Sequence, residues 1–104
     1  MDYKIRITTD AQEDLDRFIS YLLIEKQSEQ AARNVLNDFD ETIDNLKRVA
    51  GSLEPCKNSR LRTLGYYKIN FLKHRYFMLY RIVDDVVFVD NIFHELQDYE
   101  NKIK

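Results

Sequence analysis

Glu54 and His94 bracket the one part of this 104-residue chain where cations gather without acids. Residues 55–83 hold Lys57, Arg60, Arg62, Lys68, Lys73, Arg75 and Arg81 and not one aspartate or glutamate. Glu54 is the last acid before that segment. His94, one of only two histidines, closes the apolar run in FVDNIFHELQDYE. Metal-independent RNA cleavage needs a base to take the 2′-hydroxyl proton, cations to stabilise the phosphorane, and an acid to protonate the leaving 5′-oxygen. A glutamate, a set of arginines and a histidine are residue types that fill those roles. Between them, Tyr66, Tyr67, Phe71, Tyr76, Phe77 and Tyr80 interleave with Lys68, Lys73, Arg75 and Arg81. Rings that stack on bases beside cations that neutralise phosphates suit single-stranded RNA. Strand aromatics also build cores, and at least half of these rings are assigned to packing. A histidine that closes a strand is, by itself, more often structural than catalytic.

The rest of the composition works by exclusion. Net charge is −2, which alone argues against nucleic acid; the case rests on the segregation of charge, with acids in excess both before residue 55 and after residue 83. One cysteine, Cys56, excludes an internal disulfide and reads as a loop residue. With two distant histidines it also makes a structural metal site improbable. Two glycines permit neither a dinucleotide fingerprint nor a P-loop, so no cofactor is expected. The start MDYKIRITTD lacks an apolar signal core and FISYLLI is too short for a bilayer. The expectation is a cytoplasmic protein without a membrane partner.

Periodicity places these residues. YKIRIT alternates as a strand within residues 1–8, and Thr9 or Asp10 is the expected cap of a helix, with Gln12 and Glu13 at capping-box spacing. Leu15, Phe18, Ile19, Leu22 and Leu23 form one apolar stripe. After EKQS, Ser28 caps a second helix, striped by Ala31, Ala32, Val35, Leu36, Phe39, Ile43, Leu46 and Val49, with Gly51 at a left-handed C-terminal position. A link this short folds the helices back as a hairpin over residues 9–50. YYKINFL, RYFMLYRIV and VVFVDNIF then read as three antiparallel strands within 64–94. His74 falls in the first turn and Asp84-Asp85 forms the second. Residues 95–104 are expected as a short frayed helix carrying Tyr99. The chain thus reads as one α+β domain, 1–104, of order β-α-α-β-β-β, with a helical hairpin on one face of a mainly antiparallel sheet. Alternation puts Arg75 and Arg81 on one sheet face with Phe77 and Leu79 between them.

This order resembles the RelE/ParE superfamily of toxins from type II toxin–antitoxin modules. The resemblance runs through YKIRITTDAQEDLDRFISYLL and SEQAARNVLNDFDETIDNL, through KHRYFMLYRIVDDVVFVDNIFH, and through the close HELQD. In that superfamily, RelE-like and YoeB-like members cleave mRNA on the ribosome, whereas ParE-like members poison DNA gyrase without being nucleases. GSLEPCK looks like a YoeB-type Gly-x-x-Glu-Pro-x-Lys segment. The resemblance implies Glu54 as general base, Lys57 as a phosphate contact, Arg75 as transition-state stabiliser and His94 as general acid, with Arg60, Arg62, Lys68, Lys73 and Arg81 along the RNA. Against the YoeB pattern, two extra residues separate Arg75 from Tyr80. The chain also continues past its histidine as ParE-like chains do, and it is acidic overall.

The leading expectation is therefore a growth-arresting toxin that cleaves mRNA on translating ribosomes. A non-enzymatic gyrase inhibitor is the alternative, and a toxin fold that has lost its activity is a third. In each case the resemblance implies an adjacently encoded antitoxin, and operator DNA is bound only through that antitoxin.

Overall fold

The computed structural model of the chain describes residues 2–97. The alternating start forms β1 (Lys4–Ile7), and α1 (Thr9–Ile24) follows without a loop. The cap is Thr8, one residue earlier than expected. As the residue leaving the strand it still has the extended backbone a capping residue needs, and its Oγ1 accepts from Ala11 N at 3.2 Å. Ser28 caps α2 (Glu29–Val49) as expected, accepting from Ala31 N at 3.1 Å. Leu15, Val35 and Leu46 are buried, whereas Leu23 and Leu36 are exposed at the outer flank of the hairpin. Two α2 positions on the buried face are instead polar, Asp38 and Thr42.

Three further strands, β2 (Tyr67–Asn70), β3 (Tyr76–Val83) and β4 (Val86–His94), join β1 in one sheet of order β1-β4-β3-β2. The last three form an antiparallel meander, and β1 lies parallel to β4, so the sheet is mixed. Asp84 holds the expected β3–β4 turn with φ of 57°, a conformation aspartate tolerates better than most residues. Tyr80 pairs with Val89 but Leu79 pairs with Asn91, so Asp90 is a bulge.

The helices cover one face, where Ala11, Leu15, Val35 and Leu46 pack on Ile69, Met78, Tyr80, Val87, Val89 and Ile92. The other face carries a smaller cluster of Cys56, Leu61, Phe77, Leu79 and Phe93. Leu61 comes from α3 (Ser59–Thr63), a five-residue helix inside the cationic segment that periodicity does not reveal. Its ends are nevertheless well marked. Asn58 accepts from Leu61 N at 3.1 Å, and Gly65, at φ 87°, closes it while Gly65 N and Tyr66 N donate to Arg62 O and Leu61 O. The left-handed C-terminal glycine is thus Gly65. Gly51 sits in a 3₁₀ turn, Ala50–Ser52, where a Cβ would lie 2.1 Å from the Tyr3 hydroxyl. Residues 98–104, with Tyr99 and most of the expected terminal helix, lie outside the described residues; Glu95 and Leu96 form a turn.

Two buried carboxylates tie the helices to the sheet. Asp14 of α1 accepts from Ile92 N at 2.9 Å, beside the bulge, and also from Arg17. Asp38 of α2, 1% exposed, accepts from Leu72 N at 3.1 Å, Lys73 N at 3.0 Å and His74 Nδ1 at 2.6 Å, which pins the β2–β3 turn. Thr42 Oγ1 takes a second, longer share of Leu72 N at 3.3 Å. Removing such an acceptor strands buried donors, so Asp38→Ala is expected to cost about 2–4 kcal/mol in urea unfolding with little change in m-value. In the same assay Gly65→Ala, which places a Cβ in a left-handed conformation, is expected to cost about 1–2 kcal/mol.

Candidate functional site

The seven cations of residues 55–83 do not form one surface. Lys57 and Lys68 share an open cleft of about 330 Å³ with Leu53, Glu54, Pro55 and Cys56, at the outer edge of β2. That placement follows from the backbone: Pro55 bridges Tyr67 and Cys56 N donates to Tyr66 O, so residues 54–56 run beside the free edge of β2. The Lys68 ammonium lies 4.4 Å from the centre of the Phe77 ring, a cation–π contact on the outer face. Arg60 stands on the exposed side of α3, with Ser59, Thr63 and Leu64 around a shallow depression. Arg62 is exposed on the same helix.

Two cations are spoken for by acids on other elements of the fold. Lys73 Nζ lies 3.3 Å from Glu41 of α2. Arg81 makes a two-pronged pair with the bulge residue, Nε to Asp90 Oδ2 at 2.5 Å and Nη2 to Oδ1 at 3.2 Å, and stacks over Phe88. The Asp90 hydrogen bond raises the guanidinium pKa further above its already high value. Tyr66 adds its hydroxyl to the same carboxylate at 3.0 Å; burial, then Asp90, raises its pKa too. Arg81 is therefore committed within the fold, whereas Arg75 and Lys57 have no acid partner among the described residues.

His94 ends β4 opposite Tyr76 and sets its ring edge-on to that tyrosine, 5.2 Å between centres. Tyr76 in turn packs on Phe18 of α1, so His94 lies on the helix-covered side of the sheet. Its Nδ1 accepts from Leu96 N at 3.2 Å, and its own N–H donates to Gln97 Oε1 at 2.8 Å, closing the turn after the strand. Arg75 is exposed just ahead of Tyr76, and its carbonyl accepts from Glu95 N at 2.9 Å. The structure thus brings Arg75 and His94 to the same end of the sheet.

Glu54 is not there. It flanks β2 at the level of Lys68, which pairs with Leu79 and through it with Asn91. Three strand spacings across and three residues along separate that point from His94, about 14 Å by about 10 Å. The acid and the base read from the sequence therefore sit at different places and on different sides of the sheet, too far apart to act on one phosphate. What the sequence reading missed is His74, which turns out to be held by a buried acid. The only signal for it was the polar pair Asp38 and Thr42, one helical turn apart on the apolar face of α2. Among the described residues no three His, Cys, Asp or Glu side chains converge as metal ligands, and no helix is long and apolar enough to cross a membrane.

Comparison with known proteins agrees with this architecture. The family model for the ParE toxin of the type II toxin–antitoxin system parDE matches residues 5–99. A chain from the chromosomal ParDE toxin–antitoxin system of P. aeruginosa superposes with a TM-score of 0.70 at 17% identity, over 88% of this chain and 95% of that one. A chain from the RelBE2 toxin–antitoxin complex of Mycobacterium tuberculosis gives 0.61 at 21% identity, over 90% and 99%. No curated protein sequence matches.

The tyrosines make one property of the site's frame measurable. Burial raises the pKa of Tyr76 and, much more, of Tyr80, whose hydroxyl donates to Ala50 O at 2.9 Å. A folded-state pKa above the unfolded value of 10.0 favours the protonated fold. That stabilisation is complete below pH 10 and is lost as pH rises through the folded values. Stability is expected to be insensitive to these groups up to about pH 9 and to fall above pH 10, with late tyrosinate absorbance appearing only on unfolding. Tyr80→Phe should lose about 1 kcal/mol at neutral pH and flatten the alkaline limb.

Proposed function

This chain belongs to the ParE toxin family of type II toxin–antitoxin systems, and from that premise we propose that it arrests growth as a non-enzymatic inhibitor of DNA gyrase. The observation that carries the reading is the separation of Glu54 from His94. A ribonuclease of the kind the sequence suggests needs base, cation and acid around a single phosphate. Here Arg75 and His94 share one end of the sheet, Glu54 flanks the opposite edge, and Arg81 is neutralised by Asp90. A toxin acting by occupancy needs only a rigid surface of the right shape, which the doubly tethered helical hairpin supplies.

Its natural partner on this reading is an antitoxin encoded beside it. The chains of similar fold come from a ParDE system and a RelBE2 complex. An acidic antitoxin segment would meet Lys57 and Lys68 at the β2 cleft and Arg62 on α3, where electrostatic complementarity steers association. Operator binding would then reside in the antitoxin's DNA-binding half.

The test mixes purified chain with gyrase and supercoiled plasmid, and maps mRNA ends in cells induced without antitoxin. Trapped, cleaved gyrase–DNA complexes with intact transcripts are expected, and Glu54→Ala should remain within about threefold of wild type, as for a surface residue outside the contact. Full supercoiling activity at excess toxin, or new mRNA ends on ribosomes that vanish in Glu54→Ala, would overturn it.

A further inference from the structure

The segment between α2 and β2 folds back on itself before it joins the sheet. Its base is shut by the Pro55–Tyr67 bridge and by Cys56 N, which donates to Tyr66 O at 3.0 Å, so the two ends of the segment lie side by side. The Tyr66 hydroxyl adds a bond to Asp90 Oδ2 at 3.0 Å. Beyond that base, the backbone is satisfied from within. Leu61 N donates to Asn58 Oδ1, Arg62 N to Asn58 O, Leu64 N to Arg60 O, Gly65 N to Arg62 O and Tyr66 N to Leu61 O. A loop with close ends and its own hydrogen bonds can move as a body at the loss of one backbone bond, that of Tyr66 N.

What seats α3 on the sheet is chiefly one side chain. Leu61 is fully buried in the outer cluster with Phe77, Leu79, Phe93 and Cys56, whereas the other residues of α3 are exposed. An open cleft of about 330 Å³ separates residues 53–57 from Lys68, so the near side of the segment is not close-packed on β2. The β2–β3 turn is held quite differently, by buried Asp38 accepting from Leu72 N, Lys73 N and His74 Nδ1. Among the described residues no buried carboxylate accepts from a backbone N–H of residues 57–65.

We propose that residues 57–65 form a strap that swings off the outer face of the sheet as a unit while the hairpin and the meander stay folded. The pivots are Lys57 and Gly65, the latter at φ 87°, a region that glycine enters and leaves without steric penalty. The base stays shut, because its bonds lie outside the moving residues. Swinging withdraws Leu61 from Phe77, Leu79 and Phe93 and removes cover from Cys56, which is 6% exposed in the closed form. Such local openings draw on the weakly seated parts of a fold and lie below global unfolding in free energy. Arg60 and Arg62 travel with the strap, so the opening also redistributes charge on this face. The outer face thus has a closed and an open form, and a partner that prefers one shifts the balance toward it. The device does not depend on which target the toxin arrests.

The experiment times alkylation of Cys56, the sole thiol, by iodoacetamide in the full chain at neutral pH, in urea concentrations below the unfolding transition. The rate reports the motion that uncovers the thiol, and its urea slope reports the surface exposed with it. The slope is expected to be about a third or less of the global m-value. Leu61→Ala should speed labelling about thirtyfold or more, as for loss of a buried leucine. Asp38→Ala, which weakens the fold from the other side of the sheet, should leave the rate within about threefold. If Leu61→Ala does not fold, the wild-type slope and the Asp38→Ala rate decide. A slope equal to the global m-value, or an Asp38→Ala acceleration that matches its loss of global stability, overturns the proposal. So does unchanged labelling in a folded Leu61→Ala variant, or wild-type labelling as fast as in the unfolded chain, where a closed strap would be covering nothing.

Discussion

The architecture depends on two helix-borne carboxylates that cross the layer boundary. A helical hairpin laid on a sheet meets regular strands easily, because their backbone groups are paired in the ladder. The irregular places are the problem: the bulge at Asp90 and the turn between β2 and β3 leave N–H groups facing the helices. Asp14 and Asp38 supply acceptors at those two places, one from each helix. A buried carboxylate is costly unless its oxygens are saturated with donors, and here the backbone, Arg17 and His74 saturate them. The hairpin is thereby fixed in register as well as in contact, because a helix shifted by one turn would leave both sets of donors unanswered.

The bulge decides which side of the sheet the last histidine occupies. Val87 and Val89 point to the helices, and strict alternation would continue with Asn91 and Phe93, sending His94 to the outer face with Lys68 and Arg81. The extra residue at Asp90 resets the phase. Ile92 enters the helix-side core, Phe93 joins Phe77 outside, and His94 comes to rest against Tyr76. A one-residue irregularity therefore separates His94 from the Glu54 cleft and leaves it at the end of the sheet that the β2–β3 turn passes. The same bulge residue draws in Arg81 and Tyr66, so Asp90 both reorients the strand and removes a cation from the surface.

Much of this was legible in the residues themselves. The helix stripes, the Ser28 cap, the Asp84-Asp85 turn and the order of elements follow from local periodicity and turn chemistry, which act over a few residues. The α3 helix was not legible, because five residues carry no periodic signal and its polar SRLRT reads as loop; only Asn58 and Gly65 mark it. Nor was the role of Asp38, since a lone acid on an apolar stripe looks like a flaw until its partners, more than 30 positions away, are placed beside it. The site reading grouped Glu54 with His94 through the resemblance, and no feature of VVFVDNIFH announces where the extra residue of the bulge falls.

Charge segregation shows how far a linear pattern can be trusted. A segment without acids is still neutralised when the fold brings acids to it: Glu41 reaches Lys73 from α2, and Asp90 reaches Arg81 across a neighbouring strand. Lys68 is covered differently, by the face of Phe77. Among the described residues the cations that meet no acid, Lys57 at the β2 cleft, Arg62 on α3 and Arg75 at the far end of the sheet, lie in separate places. A single extended phosphate-facing surface is thus broken into separate patches with different neighbours, one bordered by Glu54 and another at the Asp38-held turn. Each is anchored by its own element, one by the edge beside β2 and the other by the Asp38-held turn.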